Sequence, residues 1–237
     1  MLPFYMMLFL QLLIPPVKSK SVKITRTLKQ EGFHRDLETV LSFELEKEIV
    51  DKLTWSSCQL LLVENLPSGV YVDLDQISSL PDSMQVLVEG DVDIEAPEYV
   101  STPLSVYIFT NLTSDSSSIT LPIHVRYHRP SNISEYSQIL IENPKIYSFC
   151  SHLSDYENTE RILAPCDNQN SSQCRWNRTQ VLYKEGKSTI SLQVPIGGEQ
   201  HSLFVSVTTL LVTITGCVIL VWTIVKKSVD LQTKKKQ

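Results

Sequence analysis

Glycine is scarce in this sequence, 7 of 237 residues. No Gly-rich phosphate loop, no G-x-S-x-G elbow and no C-x-x-C pair occurs. Those absences remove the nucleotide cradle, the serine-hydrolase nucleophile, and the zinc or thioredoxin-like cysteine pair. Charge is missing from residues 203–225, LFVSVTTLLVTITGCVILVWTIV. A sustained helical period is missing from almost everything before them, which argues against a helical or α/β domain.

What the uncharged stretch does contain is enough for a membrane span. A helix of that length reaches roughly 35 Å, against a hydrocarbon core of about 30 Å. Lys226 and Lys227 follow at once. Flanking lysines belong on the cytoplasmic side, which predicts a single-pass type I protein with everything before residue 203 in the lumen. The tail, 226–237, places Lys234 and Lys235 four and three positions from the end. That is the spacing of a dilysine retrieval signal of the endoplasmic reticulum (ER), an address rather than an anchor. An ordinary basic juxtamembrane tail is the alternative.

The first 19 residues hold an apolar run from Phe4 to Ile14 and no early basic residue. Its length suits a signal peptide with Ser19 last before the cut. Residues 20–202 then form a lumenal domain, long enough to bury a real core. Residues 20–225 hold 15 Lys and Arg against 25 Asp and Glu, so the tail alone is basic. An acidic lumenal part makes nucleic acid an unsuitable partner.

Cys217 falls inside the span, whereas Cys58, Cys150, Cys166 and Cys174 are lumenal, an even number in an oxidising compartment. Four cysteines allow three pairings; proximity within a polar stretch favours Cys166–Cys174, leaving Cys58–Cys150. Sequons at Asn111, Asn132, Asn170 and Asn177 predict four glycosylated surface positions.

Between its ends the pattern is period two. Leu37, Thr39, Leu41 and Phe43 alternate with polar residues, and the run from Cys58 reads as a strand buried on both faces. Short strands with Pro, Gly, Asn and Ser between them predict an all-β, sandwich-like lumenal domain plus one C-terminal transmembrane helix. Residues 151–177, polar and poor in β-branched side chains, read as a long disulfide-held loop.

No residues assemble into a catalytic constellation, and no metal or other cofactor is expected. Asp73-Leu74-Asp75 and Asp91-Val92-Asp93 match the short D-x-D of nucleotide-sugar transferases, but both sit where strands meet turns, and solvated turns explain them. In ITLPIHVRYHR, alternation sends Ile119, Leu121, Ile123, Val125 and Tyr127 to one face. His124, Arg126 and His128 go to the other, a cationic ridge suited to a carboxylate loop or a lipid phosphate. Along the span, Ser206, Thr209, Thr213 and Gly216 form a small, hydroxyl-rich stripe that lets helices approach closely.

Four strings, EGFHRDL at 31–37, LPSGVYVDLDQ at 66–76, DVDIEAPEY at 91–99 and LPIHVRYHRPS at 121–131, resemble the PIG-X family, whose fungal counterpart is Pbn1. The resemblance implies a non-catalytic, stabilising subunit of GPI mannosyltransferase I in the ER membrane. Its implied partner is a polytopic catalytic subunit, PIG-M, which adds the first mannose to the GPI precursor from dolichol-phosphate mannose. The rivals are a type I cell-surface adhesion or receptor glycoprotein and a D-x-D glycosyltransferase.

Overall fold

The computed structural model describes residues 21–43, 58–81, 83–111, 116–150, 160–183 and 188–235. The signal-peptide reading therefore lies outside the described residues. Two compact units are present, one holding the two large sheets and the other formed by residues 128–137 with those from 193 onward.

In the first unit, β1 (Ser21–Lys29) and β2 (His34–Phe43) form a hairpin, and β7 (Ser116–Val125) lies against β2 in antiparallel register. The two-residue β4 (Val70–Tyr71) and β12 (Gln180–Tyr183), parallel to β1, complete a five-stranded sheet A in the order β12-β1-β2-β7-β4. Sheet B is antiparallel, with β3 (Cys58–Leu66), β5 (Met84–Glu89), β6 (Leu104–Asn111), β9 (Lys145–Cys150), β10 (Arg161–Pro165) and β11 (Gln173–Arg178) ordered β10-β11-β9-β3-β6-β5. β8 (Tyr136–Glu142) and β13 (Thr189–Pro195) form a separate two-stranded sheet. A short helix of this unit, α1 (Leu74–Ser78), begins at Asp73, whose carboxylate accepts from Asp75 N.

Period two places the core. Ile24, Leu37, Leu41, Leu121 and Ile123 of sheet A are buried, as are Leu60, Leu62, Leu66 and Ile108 of sheet B. Arg26 belongs to the same alternating set as Val22 and Ile24, and it reaches across to sheet B. Its Nη2 donates to both carboxylate oxygens of Glu64, at 2.9 and 3.0 Å, and Nη1 donates to Glu142 O at 2.6 Å. Both side chains are buried, 4% and 2% exposed. Burial pushes the Glu64 carboxyl up and Arg26 pulls it back; one guanidinium nitrogen shared between both carboxylate oxygens is a charge-assisted contact.

Sheet B carries a second core on its other face. Leu61, opposite Phe109 on β6 and Tyr147 on β9, packs with Trp176 and Ala164, and all five are buried. Phe109 and Trp176 stand three strands apart in the sheet, yet their ring centroids are 6.0 Å apart. Four flat strands would hold them roughly 14 Å apart, so sheet B curls around this cluster. Leu87 of edge strand β5 and Ile162 of edge strand β10 both pack against it.

β10 and β11 fall inside residues 151–177, which the sequence reads as loop; only part of that stretch is irregular. Pairing and the buried Trp176 supply what β-branched composition did not. Cys166 and Cys174 are disulfide-bonded with Cα atoms 5.0 Å apart, closing the β10–β11 hairpin. Cys58 is also disulfide-bonded and stands opposite Cys150 in the β3–β9 register.

The second unit ends in α2 (Ser202–Lys235), 34 residues. Residues Glu199–Ser228 contain an 18-residue stretch of mean hydropathy 2.4 and are long and apolar enough to cross a membrane. Asn132 ties the entry to this helix, accepting from Gln200 N and donating to Glu199 Oε2. Past the apolar part the helix continues through Lys234 and Lys235, so the basic tail is helical as far as Lys235.

Candidate functional site

β7 pairs along β2 for most of its length, while β4 meets it only at His124 and Val125. Pro122 fits because β7 is locally an edge there, where a missing N–H is tolerated. Beyond Val125 the chain leaves the ladder. Val125 N donates to Phe33 O, Arg126 N to Gly69 O, and Glu98 N to Tyr127 O. The strand therefore stops where three other segments converge on it.

The cationic ridge expected from alternation is corrected by this convergence. Arg126 is 4% exposed. Its guanidinium lies 4.6 Å over the Tyr71 ring, and Nη1 donates to Asp93 O at 2.5 Å and Ala96 O at 2.6 Å. Alternation reports a face of a strand; it does not report that residues 91–97 cover that face. Gly90 permits the covering, since its φ of +118° at the end of β5 is one that L side chains rarely adopt. Tyr127, assigned to the core by alternation, is 73% exposed, because the strand has ended before it. His128 belongs to the second unit.

The buried guanidinium is one end of a column. His34 and His124 are register partners with rings edge to face at 4.7 Å, and His124 stacks on Tyr71 at 5.1 Å. His124 Nε2 lies 3.0 Å from Gln76 Oε1. An amide oxygen only accepts, so Nε2 carries the proton. Around the column, Ile94, Tyr99, Val100 and Tyr127 expose apolar or aromatic surface. The four strings behind the family resemblance thus meet in space: Phe33 and His34, Gly69 to Gln76, Asp93 to Glu98, and His124 to Tyr127.

Burial, then the neighbouring His34, holds the His124 pKa below its ordinary 6.5, with Asp73 opposing. The neutral ring is the folded form. Its contribution to stability is complete above pH 6.5 and lost as pH falls through the lowered value. Thermal melts of the full chain in detergent, followed by tryptophan fluorescence, should fall between pH 7 and 5. His124→Gln should flatten that slope; an unchanged slope would exclude His124 as its source.

The D-x-D pairs are turn builders. Asp73 caps α1, and Asp93 Oδ1 accepts from Glu95 N while its carbonyl receives Arg126. Asn111, Asn132 and Asn170 are exposed, but Asn177 departs from the surface reading. It is paired on β11 with Arg161 on one side and Ser148 on the other. Its Oδ1 and Thr179 Oγ1 are buried without hydrogen-bond partners among the described residues; a sequon encodes local sequence and carries no information on burial. Asn177→Gln should leave the glycosylated band unmoved on a gel, while each of the other three Asn→Gln changes removes one glycan. A one-glycan shift for Asn177→Gln would mean modification before β11 docks.

In α2, Thr213 Oγ1 donates back to Thr209 O at 2.8 Å, and Thr208, Thr215 and Thr223 back-bond likewise. The stripe of Ser206, Thr209, Thr213 and Gly216 is exposed, and Gly216 has open space beside it.

A family model described as PIG-X / PBN1 matches residues 30–225, spanning all four strings, every strand of the two large sheets except β1, and the apolar part of α2. The chain is 35% identical over 195 residues to a human protein named GPI alpha-1,4-mannosyltransferase I, stabilizing subunit, covering 78% of this chain and 72% of that protein. The rat protein of the same name is 31% identical over 195 residues, 78% of this chain and 74% of its own length. Protein PBN1 of Debaryomyces hansenii is 26% identical over 223 residues, 89% of this chain but 46% of the yeast protein. With both the converging strings and the membrane-length helix inside the matched region, this chain belongs to the PIG-X / PBN1 family.

Proposed function

We propose that this chain is the stabilising, non-catalytic subunit of GPI mannosyltransferase I in the ER membrane. It holds a polytopic, PIG-M-like catalytic subunit that transfers the first mannose from dolichol-phosphate mannose to the GPI precursor. The observation that carries this reading is 35% identity to a human stabilising subunit over 78% of this chain, together with a family match that runs from residue 30 into the apolar helix. The convergent column supports it. Arg126, Tyr71 and His124 brace residues 91–97, and the exposed Ile94, Tyr99, Val100 and Tyr127 give a partner an apolar surface on a rigid base. The Ser206, Thr209, Thr213 and Gly216 stripe offers a second contact inside the membrane.

In cells lacking their own stabilising subunit, expression of this chain should raise the level of the catalytic subunit and restore GPI-anchored proteins at the surface. Restored anchoring with no change in enzyme level would contradict stabilisation as the mechanism. The β domain is lumenal in this reading, with the tail cytoplasmic. Replacing Lys234 and Lys235 by Ser should therefore let a fraction of the protein acquire endoglycosidase-H-resistant glycans. Full sensitivity in the variant would assign retention to assembly rather than to the tail.

A further inference from the structure

Sheet B has an open edge at β5. Among the described residues this strand pairs with β6 alone and ends the sheet. Edge strands are ordinarily guarded by lysine, proline or a bulge against pairing with other chains. β5, MQVLVE, has neither lysine nor proline, and Met84, Val86, Leu87 and Val88 are only half-buried. Two grooves adjoin the strand, and Leu87 and Val88 border both. The first, about 520 Å³, runs between α1 and β5, and the consecutive residues Met84, Gln85, Val86, Leu87 and Val88 line it. The second, about 350 Å³, lies between β5 and the β10–β11 hairpin, with Leu87, Glu89, Tyr107 and Leu163 in its wall. Asn168 of the disulfide-closed hairpin tip reaches the first groove, and Asn170 the second.

No Lys or Arg is among the described residues of either groove. Asp73 and Asp75 flank the first and Glu89 the second, and Asp91 and Asp93 follow. This rim repels a lipid phosphate and suits a peptide with basic flanks. We propose that β5 accepts an extended lumenal segment of the catalytic subunit as an added strand of sheet B. The segment would be five or six residues long, apolar at alternate positions and bounded by Lys or Arg. An added strand places successive side chains on opposite faces, its backbone satisfies the open edge, and the first groove, lined by consecutive β5 residues, gives it room along that edge. The inference rests on the stabilising role and gives it a mechanism: a loop paired into this sheet is withdrawn from aggregation and degradation.

The test uses the full chain co-expressed with the catalytic subunit and a photoreactive benzoylphenylalanine at exposed Gln85, with exposed Thr120 on sheet A as control. Gln85 should cross-link the enzyme through a segment of the stated pattern, and Thr120 should not. Gln85→Pro and Val88→Lys should each reduce co-purified enzyme about ten-fold, corresponding to ~1.4 kcal/mol. Gln85→Lys, which leaves packing untouched, should weaken it in the same direction while this chain's own half-life stays constant. If wild type retains the enzyme but all three variants retain it equally, the edge proposal is overturned and the stabilising role stands. If Gln85 cross-links a second copy of this chain, self-association replaces it. If wild type retains no enzyme, the stabilising role itself fails, and the edge proposal with it.

Discussion

Glu64→Ala should strongly destabilise this protein. Removing one member of a buried ion pair leaves the other charge uncompensated, at about 3–5 kcal/mol, against a total stability of ~5–15 kcal/mol for an ordinary domain. Arg26 would keep its bond to the Glu142 carbonyl, which argues for the lower part of that range. Its Nε is already buried without a hydrogen-bond partner among the described residues, so the site has no spare acceptor to offer. The pair joins β1 of sheet A to β3 of sheet B, and its loss should loosen the sandwich as a whole. Arg26→Met together with Glu64→Leu should recover most of the stability, because an apolar pair of similar volume carries no desolvation cost. Thermal melts read by tryptophan fluorescence, with pulse-chase half-life in cells, check both variants. A melting temperature for Glu64→Ala within a few degrees of wild type would show that the pair contributes little.

Arg126→Glu should lower this chain's own abundance together with that of the catalytic subunit. An exposed ridge would give the opposite pattern, with the chain unaffected and only its partner lost. The buried guanidinium donates to two carbonyls of residues 91–97. Charge-assisted bonds of this kind contribute roughly 1.5–3 kcal/mol, and stacking on Tyr71 adds about 0.5–1 kcal/mol. A carboxylate in its place would face those carbonyls, with Asp93 and Glu95 close by, and residues 91–97 would lift from the sheet. Arg126→Lys should be intermediate, since an ammonium retains charge but not the flat stacking surface. Limited proteolysis provides the specific readout: cleavage within residues 91–97 should rise in the order wild type, Lys, Glu. Unchanged protection in Arg126→Glu would remove the bracing role, and normal abundance of the chain with loss of the enzyme would restore a direct contact.

These two arginines show how far alternation reaches. Arg26 shares the inward phase of Val22 and Ile24, and Glu64 stands in an apolar run. Each is a charge in a core position, but nothing local pairs residues 38 positions apart. Arg126 failed in the other direction. Its phase indicates solvent, and only the return of residues 91–97 over that phase buries it.

The β class, the membrane-length helix and the family were determined by sequence, because each rests on local repetition: period two, an uncharged run, and short strings. Strand order, the curl of sheet B around Trp176 and the open edge at β5 belong to the tertiary structure. So does the half-buried state of Asn177, whose sequon reads like the other three. The physical reason is common to all of these. They depend on which segments, distant in the chain, share a surface, and the free energy of that sharing is set by packing and desolvation between them rather than by any residue's immediate neighbours.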